Sequence, residues 1–285
     1  MKNFINKITF VLVCFNSKNI VKKCINSIDR KAKILIVENS NNCLIKKELE
    51  KEFSNVTVVI AGKNLGYGAG NNLGISKIKT PYAFILNPDS YLKKNCINEL
   101  GKAVKLLNNK FKVLAPKLKN NYGYFSQISL EKKFFNIFPV DYVKGFAMLI
   151  NLRRVNFIKI FDENFFLFLE EIDFCKRICD FYGNKKEIFL VNKAKVGHNA
   201  KQSSGDSFNI ELCRNWHWMW SLFYYNKKHS GIIFAYKVTF CKFVSSLFKM
   251  LLSALFLRKK KVLIYYYRLL GLGNAYCGKL SWYRP

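Results

Sequence analysis

The sequence predicts an α/β protein whose central sheet is mostly parallel and carries helices on both faces, followed by an amphipathic C-terminal helical segment. Three features lead to this prediction. Short apolar runs alternate with segments of helical spacing in the first third of the chain. One such run stops at Asn87-Pro88-Asp89, and proline ends a buried strand because it cannot donate to a β-ladder. After about residue 205, the composition becomes rich in tryptophan, tyrosine and lysine.

The elements of the predicted sheet follow one another regularly. Apolar runs predict strands, and apolar residues three or four apart predict helices. The predicted strands cover residues 8–15, 34–37, 56–60 and 83–87, and the predicted helices cover residues 20–28, 44–53 and 71–79. The glycine-rich segment before the last helix is expected to form a turn. This β-α-β alternation is typical of parallel strands joined by crossover helices.

The carboxyl edge of such a sheet is the usual ligand site of α/β proteins, and a nucleotide is its default ligand. Asp89 would lie in a loop at this edge; the alternative is that it caps the following helix. We expect one domain over residues 1–205, with a nucleotide-binding half over about residues 1–110 and an acceptor-binding, catalytic half over about residues 111–205. Residues 206–285 are expected to form the helical segment.

The charge of the chain narrows the choice of partners. Lysine and arginine number 48 against 18 acidic residues, which gives a formal net charge of +30. Such an excess implies nucleic acid, an anionic membrane or a phosphorylated substrate as partner. The basic residues are spread along the chain without a recognised nucleic-acid-binding module, so we expect no nucleic-acid partner. The nine cysteines contain no C-x-x-C pair, which favours buried thiols over zinc or disulfides.

Two common phosphate-binding motifs are absent from the sequence. No G-x-G-x-x-G follows the first strand, and no G-K-[ST] loop occurs, which argues against a Rossmann dinucleotide enzyme and a P-loop kinase. Glycines occur instead at residues 66, 68 and 70, just before Asn71 and Asn72. Glycine tolerates positive φ and lets a backbone approach a ligand closely.

Seven blocks, in order over about residues 8–205, carry a family resemblance. They read VLVCFNS, ILIVENSNN, KNLGYGAGNNLGI, ILNPDS, VKGFAMLINLRRV, FDENFFLFLEEIDFCKRI and VGHNAKQSSG. They resemble the family-two glycosyltransferases with a GT-A fold, especially the rhamnosyltransferase-like branch. The resemblance implies an inverting, metal-dependent transferase that moves a sugar, such as rhamnose from dTDP-rhamnose, from a nucleotide-diphosphate donor into a cell-surface glycan.

The resemblance also implies a metal site and a donor site. Asp89, in the block ILNPDS, would be the direct ligand of Mg²⁺ or Mn²⁺, and His198 would be the second ligand. Oxygen ligands suit these cations, which offset the charge of a leaving diphosphate. The residues expected to contact the nucleotide sugar are Asn16, Glu38, Asn64, Gly66, Gly68, Asn71, Asn72 and Asn87. Asp141 and Gly145 are expected to contact the acceptor.

The sixth block supplies the carboxylates for catalysis. An inverting transfer needs a carboxylate that takes the proton from the acceptor hydroxyl. Glu171 stands at the position of the family's catalytic Asp, with Glu170 as its neighbour and Asp173 as a structural or acceptor-orienting carboxylate. The apolar run before them would raise a carboxyl pKa by desolvation. The alternative is that these acids interact with a helix dipole and that Asp173 pairs with Arg177.

Two positions depart from the family pattern. Glu38 stands where the family usually has Asp, which leaves the preferred nucleotide base open. Glu171 is one methylene longer than the Asp it replaces, so the base would lie about an ångström further out. These departures motivate an alternative in which the chain is a catalytically degenerate scaffold. A nucleic-acid-binding protein is the less favoured alternative.

The segment after residue 205 is expected to contact a membrane. Tryptophans and tyrosines precede an apolar stretch at residues 231–257 that three lysines interrupt, so a spanning helix is disfavoured. Residues 258–261 are basic and would favour an anionic surface. We therefore expect a peripheral protein on the cytoplasmic face of the cell membrane, acting on a lipid-linked saccharide. The alternative is that these helices pack on the first domain or on a homodimer partner.

Overall fold

A computed structural model of the chain describes residues 2–118, 136–155, 159–181, 187–198 and 207–285. The chain forms two compact units, one of residues 1–161 with 171–204 and one of residues 162–170 with 205–285. Residues 162–170, predicted to belong to the α/β domain, cluster instead with the C-terminal helices. The expected boundary at residue 205, and residues 199–205 of the last block, lie outside the described residues.

The first unit contains the sheet and its helices. Its strands are β1 Ile8–Cys14, β2 Lys33–Glu38, β3 Val56–Ile60, β4 Tyr82–Leu86, β5 Ser90–Leu92, β6 Val113–Leu118, β7 Ile137–Pro139, β8 Ala147–Asn151 and β9 Ile188–His198. Its helices are α1 Lys2–Ile5, α2 Lys18–Asn26, α3 Cys43–Glu52, α4 Tyr67–Ser76, α5 Cys96–Leu106 and α6 Glu170–Phe181, whose first residue clusters with the second unit. The predicted elements of the first ninety residues or so are all present.

Across the part of the chain that the structure describes, nine strands form one sheet in the order β3-β2-β1-β4-β8-β6-β9-β5, with β7 paired to β9. The half made by β3, β2, β1 and β4 is parallel throughout, as predicted. The other half mixes directions, because β8 runs antiparallel to β4 and β6, while β6 and β9 are parallel. The carboxyl ends of the parallel strands therefore share one edge with the start of β8.

Alternate residues of β1 enter two separate clusters of buried side chains. Phe10 and Leu12 pack in one cluster with α2, α3 and α5, and Val11 packs in the other with α4 and α6. Successive strand residues point to opposite faces, so each cluster fills one face of the sheet. Helices thus cover both faces, as the sequence predicts.

Helix α4 begins at Tyr67 rather than at residue 71. Gly66 precedes it with φ +81°, a backbone conformation that favours glycine. Gly68, which the sequence analysis assigned to a turn, is already helical. The prediction was wrong here because glycine usually ends a helix. In this chain the glycines lie inside α4 and allow it to pack on the sheet.

The glycines of α4 let the helix lie close to the sheet. A Cβ atom on Gly70 would lie 2.9 Å from Val13 Cγ1, and one on Gly74 would lie 2.5 Å from Val11 Cγ1. At such distances the valine or the helix would have to shift, so glycine at both positions lets α4 approach β1 this closely. This approach brings the start of α4 to the carboxyl edge of the sheet.

The second unit contains three long helices. They are α7 Phe208–Ser230, α8 Ile232–Leu255 and α9 Lys259–Tyr276. A Cβ on Gly271 of α9 would lie 2.2 Å from the carbonyl oxygen of Trp216, so α7 and α9 cross in close contact. The core of the unit is aromatic and consists of Trp216, Met219, Trp220, Phe223, Ala235, Leu272 and Ala275.

Helix α8 presents its large apolar side chains outward. The buried residues are small, namely Ala235, Thr239, Ser246 and Ser253. The outward face carries Ile233, Phe240, Val244, Phe248, Leu251 and Leu255, all of them exposed. These recur at spacings of three, four and seven residues, which places them on one side of the helix. The pattern is the reverse of that in a helix of a water-soluble core.

By length and composition, α8 could also cross a membrane, which the sequence analysis had disfavoured. It has 24 residues, and its most apolar window has a mean hydropathy of 1.5 with 17% of the residues buried. That window holds no more than two charged residues, so the lysines do not break the apolar stretch. The low burial separates α8 from a core helix.

Candidate active site

Asp89 and His198 lie side by side at the carboxyl edge of the sheet. The chain leaves β4 at Leu86, turns through Asn87 and Pro88, and starts β5 at Ser90. Ser90 pairs with His198 across the antiparallel β5–β9 contact. As a result, Asp89 Oδ1 lies 3.1 Å from His198 Nε2. A strand and not a helix follows Asp89, so the alternative that it caps a helix is wrong.

The surroundings of this pair fit a divalent cation. Asp89 is 3% exposed, and neither of its carboxylate oxygens accepts a hydrogen bond from the residues that the structure describes, His198 being its near neighbour. A buried carboxylate without hydrogen-bond donors is costly unless a ligand binds it. The described ranges hold no group of three metal-ligating side chains. Mg²⁺ and Mn²⁺ often take one or two protein ligands and complete their shell with phosphate oxygens and water.

A short loop at residues 144–146, just before β8, connects the parts of the site. The Asn87 N–H donates to the Phe146 carbonyl over 2.8 Å. The Phe146 ring stacks on His198 with centroids 4.9 Å apart and an angle of 14°. The Gly145 carbonyl accepts from the Tyr67 hydroxyl over 2.5 Å. We call residues 144–146 the hub loop, because Asn87, His198 and Tyr67 of α4 all contact it.

Glu171 also lies against the hub loop. A Cβ on Gly145 would lie 3.4 Å from Glu171 Cβ. Burial raises the pKa of the Glu171 carboxyl, while the Lys144 ammonium and the backbone N–H groups of Gly145, Glu171 and Ile172 counteract part of the rise. A carboxylate with a raised pKa accepts a proton more readily at neutral pH, which is what a general base requires.

The other two carboxylates predicted to serve catalysis differ from Glu171. Asp173 is fully buried and accepts from Arg177 Nε over 2.8 Å, and Arg177 Nη2 donates to the Ile160 carbonyl over 2.5 Å. This is the ion pair that the sequence analysis gave as the alternative, so Asp173 helps to hold α6 in place. Glu170 is the first residue of α6 and is buried in the second unit.

Glu38 ends β2 at the same edge of the sheet. Its Oε1 accepts from the backbone N–H of Ser40 over 2.7 Å and from the Ser40 hydroxyl. Its Oε2 is buried and accepts no hydrogen bond from the described part of the chain. One oxygen is therefore fixed in position while the other can accept from a ligand.

Of the asparagines predicted for the donor site, two lie in loops at the sheet edge and two lie in helix α4. Asn16, after β1, is exposed with φ +52°, and Asn64 Oδ1 accepts from the Gly66 N–H over 3.1 Å, so both shape loops at the edge. Asn71 donates to the Tyr67 carbonyl over 3.0 Å. Asn72 binds the backbone of Phe161 through both amide atoms, at 2.8 and 3.0 Å. Asn72 thus has a structural role that the sequence did not predict.

The remaining predicted residues lie around the hub loop. Gly145 belongs to it, and Asn87 is bonded to it as described above. Asp141 is exposed, and its carbonyl lies 3.8 Å from the Cys179 thiol, which donates to it. The structure brings together Asp89, His198, Asn87, Gly145 and Glu171.

Sequence reasoning missed three residues that shape the site. Tyr67 donates a hydrogen bond to the hub loop, and Lys144, which belongs to the loop, lowers the pKa of the Glu171 carboxyl. Asn39 donates to the Gly66 carbonyl over 2.9 Å and so ties β2 to the start of α4. Tyr67 lies within the glycine-rich block KNLGYGAGNNLGI, so its place near the donor site could have been predicted. A partly buried tyrosine hydroxyl needs a hydrogen-bond partner, which here is the Gly145 carbonyl.

Comparison with known proteins gives one family match and one curated relative. Residues 9–151 match the family described as Glycosyl transferase family 2. The low-salt glycan biosynthesis hexosyltransferase Agl10 of Haloferax volcanii is 26% identical over 196 residues, which cover 62% of this chain and 62% of that protein. The match thus spans less than two thirds of the curated relative.

Solved structures give the fold. The crystal structure of GalNAc-T7 with UDP, GalNAc and Mn²⁺ has a TM-score of 0.60 at 12% identity, covering 83% of this chain and 57% of that one. S. aureus TarS 1–349 has a TM-score of 0.48 at 13% identity, covering 97% of this chain and 93% of that one. The likeness to GalNAc-T7 confirms the predicted α/β fold of the GT-A type.

The Lys144 charge should control the protonation of Glu171. We expect Lys144→Met to raise the pKa of the Glu171 carboxyl further, because the nearby ammonium favours the carboxylate. The measurement is an NMR titration of glutamate side-chain carboxyl carbons, with the Glu171 signal assigned through Glu171→Gln. Lys144→Arg keeps the charge and serves as the control. A Glu171 pKa that is the same with Lys, Arg and Met at position 144 would contradict this reading.

Proposed function

The chain belongs to glycosyl transferase family 2, and from this premise we propose that it transfers a sugar from a nucleotide-diphosphate donor to an acceptor hydroxyl in glycan biosynthesis. The observation that carries the proposal is the Asp89–His198 pair, joined through the hub loop to Glu171. The resemblance to a glycan-biosynthesis hexosyltransferase supports it.

We propose that Asp89 and His198 hold Mg²⁺ or Mn²⁺. The buried Asp89 oxygens and the adjacent imidazole nitrogen form a donor set that such cations accept. GalNAc-T7, which shares the fold, was crystallised with Mn²⁺. A bound divalent cation offsets the charge that develops on a leaving diphosphate.

Glu171 is the proposed general base. As the acceptor oxygen attacks the anomeric carbon, its proton passes to the Glu171 carboxylate, and the bond from that carbon to the nucleotide diphosphate breaks. Attack opposite the leaving group inverts the configuration at this carbon. The hub loop fixes the reach of the base, since Gly145 packs against Glu171 Cβ and its N–H donates to the carboxylate.

The donor lies, in this proposal, between the ends of β1 and β2 and the start of α4. The buried Glu38 Oε2, which accepts no hydrogen bond from the described residues, would accept one from a ribose hydroxyl or a base N–H. The rhamnosyltransferase-like motifs make dTDP-rhamnose the first donor to test. The proposed acceptor is a lipid-linked saccharide.

We also propose that α8 holds the protein on the cytoplasmic face of the membrane. Its outward face is apolar, its inward face is made of small residues, and residues 258–261 add four positive charges beside its end. Exposed Phe256 and Leu257 extend the apolar face toward those charges. An apolar face with an adjacent basic cluster fits the interface of an anionic leaflet. Lys237, on the α8 surface, favours a helix lying in the interface over one that spans the bilayer.

Removal of the Asp89 carboxylate should abolish metal-dependent donor binding. Calorimetry with dTDP, UDP and GDP, each with Mg²⁺ or Mn²⁺, should show binding of at least one nucleotide to the native chain and none to Asp89→Ala. Asp29→Asn, which changes an exposed carboxylate elsewhere, should bind normally. Failure of the folded native chain to bind any of the three would reject the transferase proposal.

Loss of the Tyr67 hydroxyl should slow turnover without weakening donor binding. Tyr67→Phe removes the hydrogen bond to the Gly145 carbonyl, a contact whose net value is about 1 kcal/mol, so kcat should fall about fivefold. The measurement is nucleotide release from dTDP-rhamnose, UDP-glucose and GDP-mannose, alongside nucleotide affinity. Tyr142→Phe removes a hydroxyl from the segment preceding the hub loop and is the control. A fall in affinity with kcat unchanged would place Tyr67 in donor binding instead.

The outward face of α8 should be required for membrane binding. Replacing Phe240, Phe248 and Leu251 together by Ser should abolish flotation with vesicles of equal phosphatidylglycerol and phosphatidylcholine. Changing residues 259–261 to Gln should weaken binding about hundredfold, because each lysine contributes about 1 kcal/mol at an anionic surface.

The matched control replaces Leu44 and Leu106, exposed in the first unit, by Ser, and should float normally. If the native chain does not bind vesicles but sediments as a dimer that the triple substitution dissociates, the face is a contact between copies and the membrane proposal is wrong.

A further inference from the structure

Residues 162–170 run along one face of α7, in the opposite direction to it. The α7 residues that contact them recur at three- or four-residue spacing and so share one face of the helix. At one end, Lys228 Nζ and the Tyr224 hydroxyl both donate to Asp162 Oδ2, over 2.7 and 3.0 Å. In the middle, the Ser221 hydroxyl donates to the Leu167 carbonyl over 2.8 Å. At the other end, the Trp218 ring meets the Phe168 ring edge-on, with centroids 5.6 Å apart. Ser221 is fully buried.

Residues 281–284 cover the same segment. The Ser281 hydroxyl donates to the Asn164 carbonyl over 2.7 Å. The Arg284 guanidinium lies 3.9 Å from the centroid of the Phe166 ring, a distance at which a cation and an aromatic face attract each other. Residues 162–170 are therefore held by two parts of the second unit.

The segment ends in a backbone that side chains disfavour. Phe168 has φ +72° and Leu169 has φ +69°. In this left-handed region the Cβ atom crowds the backbone, and Asn or Gly are the usual occupants. Most other side-chain-bearing residues with positive φ in the described ranges are asparagines. Two successive residues of this kind persist only where their surroundings hold them, and such places concentrate at functional sites.

We propose that Ser221 and residues 281–284 form a clamp that holds Phe168 and Leu169 in the left-handed conformation and so sets where α6, and with it Glu171, begins. This inference rests on the proposed role of Glu171 as the base. Ser221 acts through the backbone and is a positioning residue. The strained pair joins directly to Glu170 and Glu171, so a change in its φ angles redirects the first turn of α6.

The test combines loss of the clamp with relief of the strain. Ser221→Ala should lower kcat about tenfold, with the donor KM and nucleotide affinity unchanged, because the base is displaced while the donor site is intact. Leu169→Gly in the Ser221→Ala background should restore kcat at least to half, since glycine adopts positive φ without a clamp. Leu169→Ala in that background removes nearly the same side chain but keeps Cβ, and should not restore it. Ser230→Ala, at the exposed end of α7, is the control for loss of a hydroxyl.

A second readout does not depend on turnover. Amide hydrogen exchange of residues 164–172 should be faster in Ser221→Ala and should return to the native rate with Leu169→Gly but not with Leu169→Ala. Unchanged exchange and kcat in Ser221→Ala, or a loss that Leu169→Gly and Leu169→Ala restore equally, would overturn the clamp. Absence of nucleotide binding by the native chain would instead reject the proposed function, so the two failures are distinguishable.

Discussion

The antiparallel pairing of β4 with β8 is the constraint on which the site depends. It sets Leu86 opposite Ala147, so the residues that leave β4 meet the hub loop that enters β8. From this loop, Phe146 supports His198, and Gly145 contacts both Tyr67 and Glu171. The proposed metal ligands and the proposed base therefore contact the same short loop. Their separation is fixed by strand register, which tolerates no gradual adjustment.

Several carboxylates that are buried or partly buried in this chain fall into two kinds. Asp173 pairs with Arg177, Asp162 with Lys228, and Glu187 with Lys112 and Arg154, so each has a cation that lowers the cost of burial. Asp89 has an imidazole as neighbour, and Glu38 has Ser40 on one oxygen alone among the described contacts. The paired carboxylates stabilise the fold. The other two remain available to ligands, and both lie at the carboxyl edge of the sheet.

Structural features that depend on a local sequence pattern could be predicted from the sequence. Features that depend on contacts between residues far apart in the chain could not. Strands β1 to β4 follow from apolar runs, and the position of Asp89 follows from Pro88, because both signals lie within a few residues. The start of α4 was missed because its glycines serve packing against Val11 and Val13, which no local rule contains. The roles of Tyr67 and Lys144 were missed for the same reason, since their partners lie far away along the chain. Residues 162–170 resembled part of the α/β domain, yet they pack on α7.

In these proposals, two surfaces of the second unit, one on α7 and one on α8, have different functions. One face of α7 holds the segment that precedes Glu171, and the outward face of α8 meets the membrane. Small buried residues such as Ala235 and Ser246 let α8 pack closely on its neighbours while its large side chains turn outward. A chain cut at residue 205 would lose the clamp together with the membrane contact, and Phe168 and Leu169 would relax to negative φ. In these proposals, the helical unit therefore positions the base through the chain that leads into α6, in addition to binding the membrane.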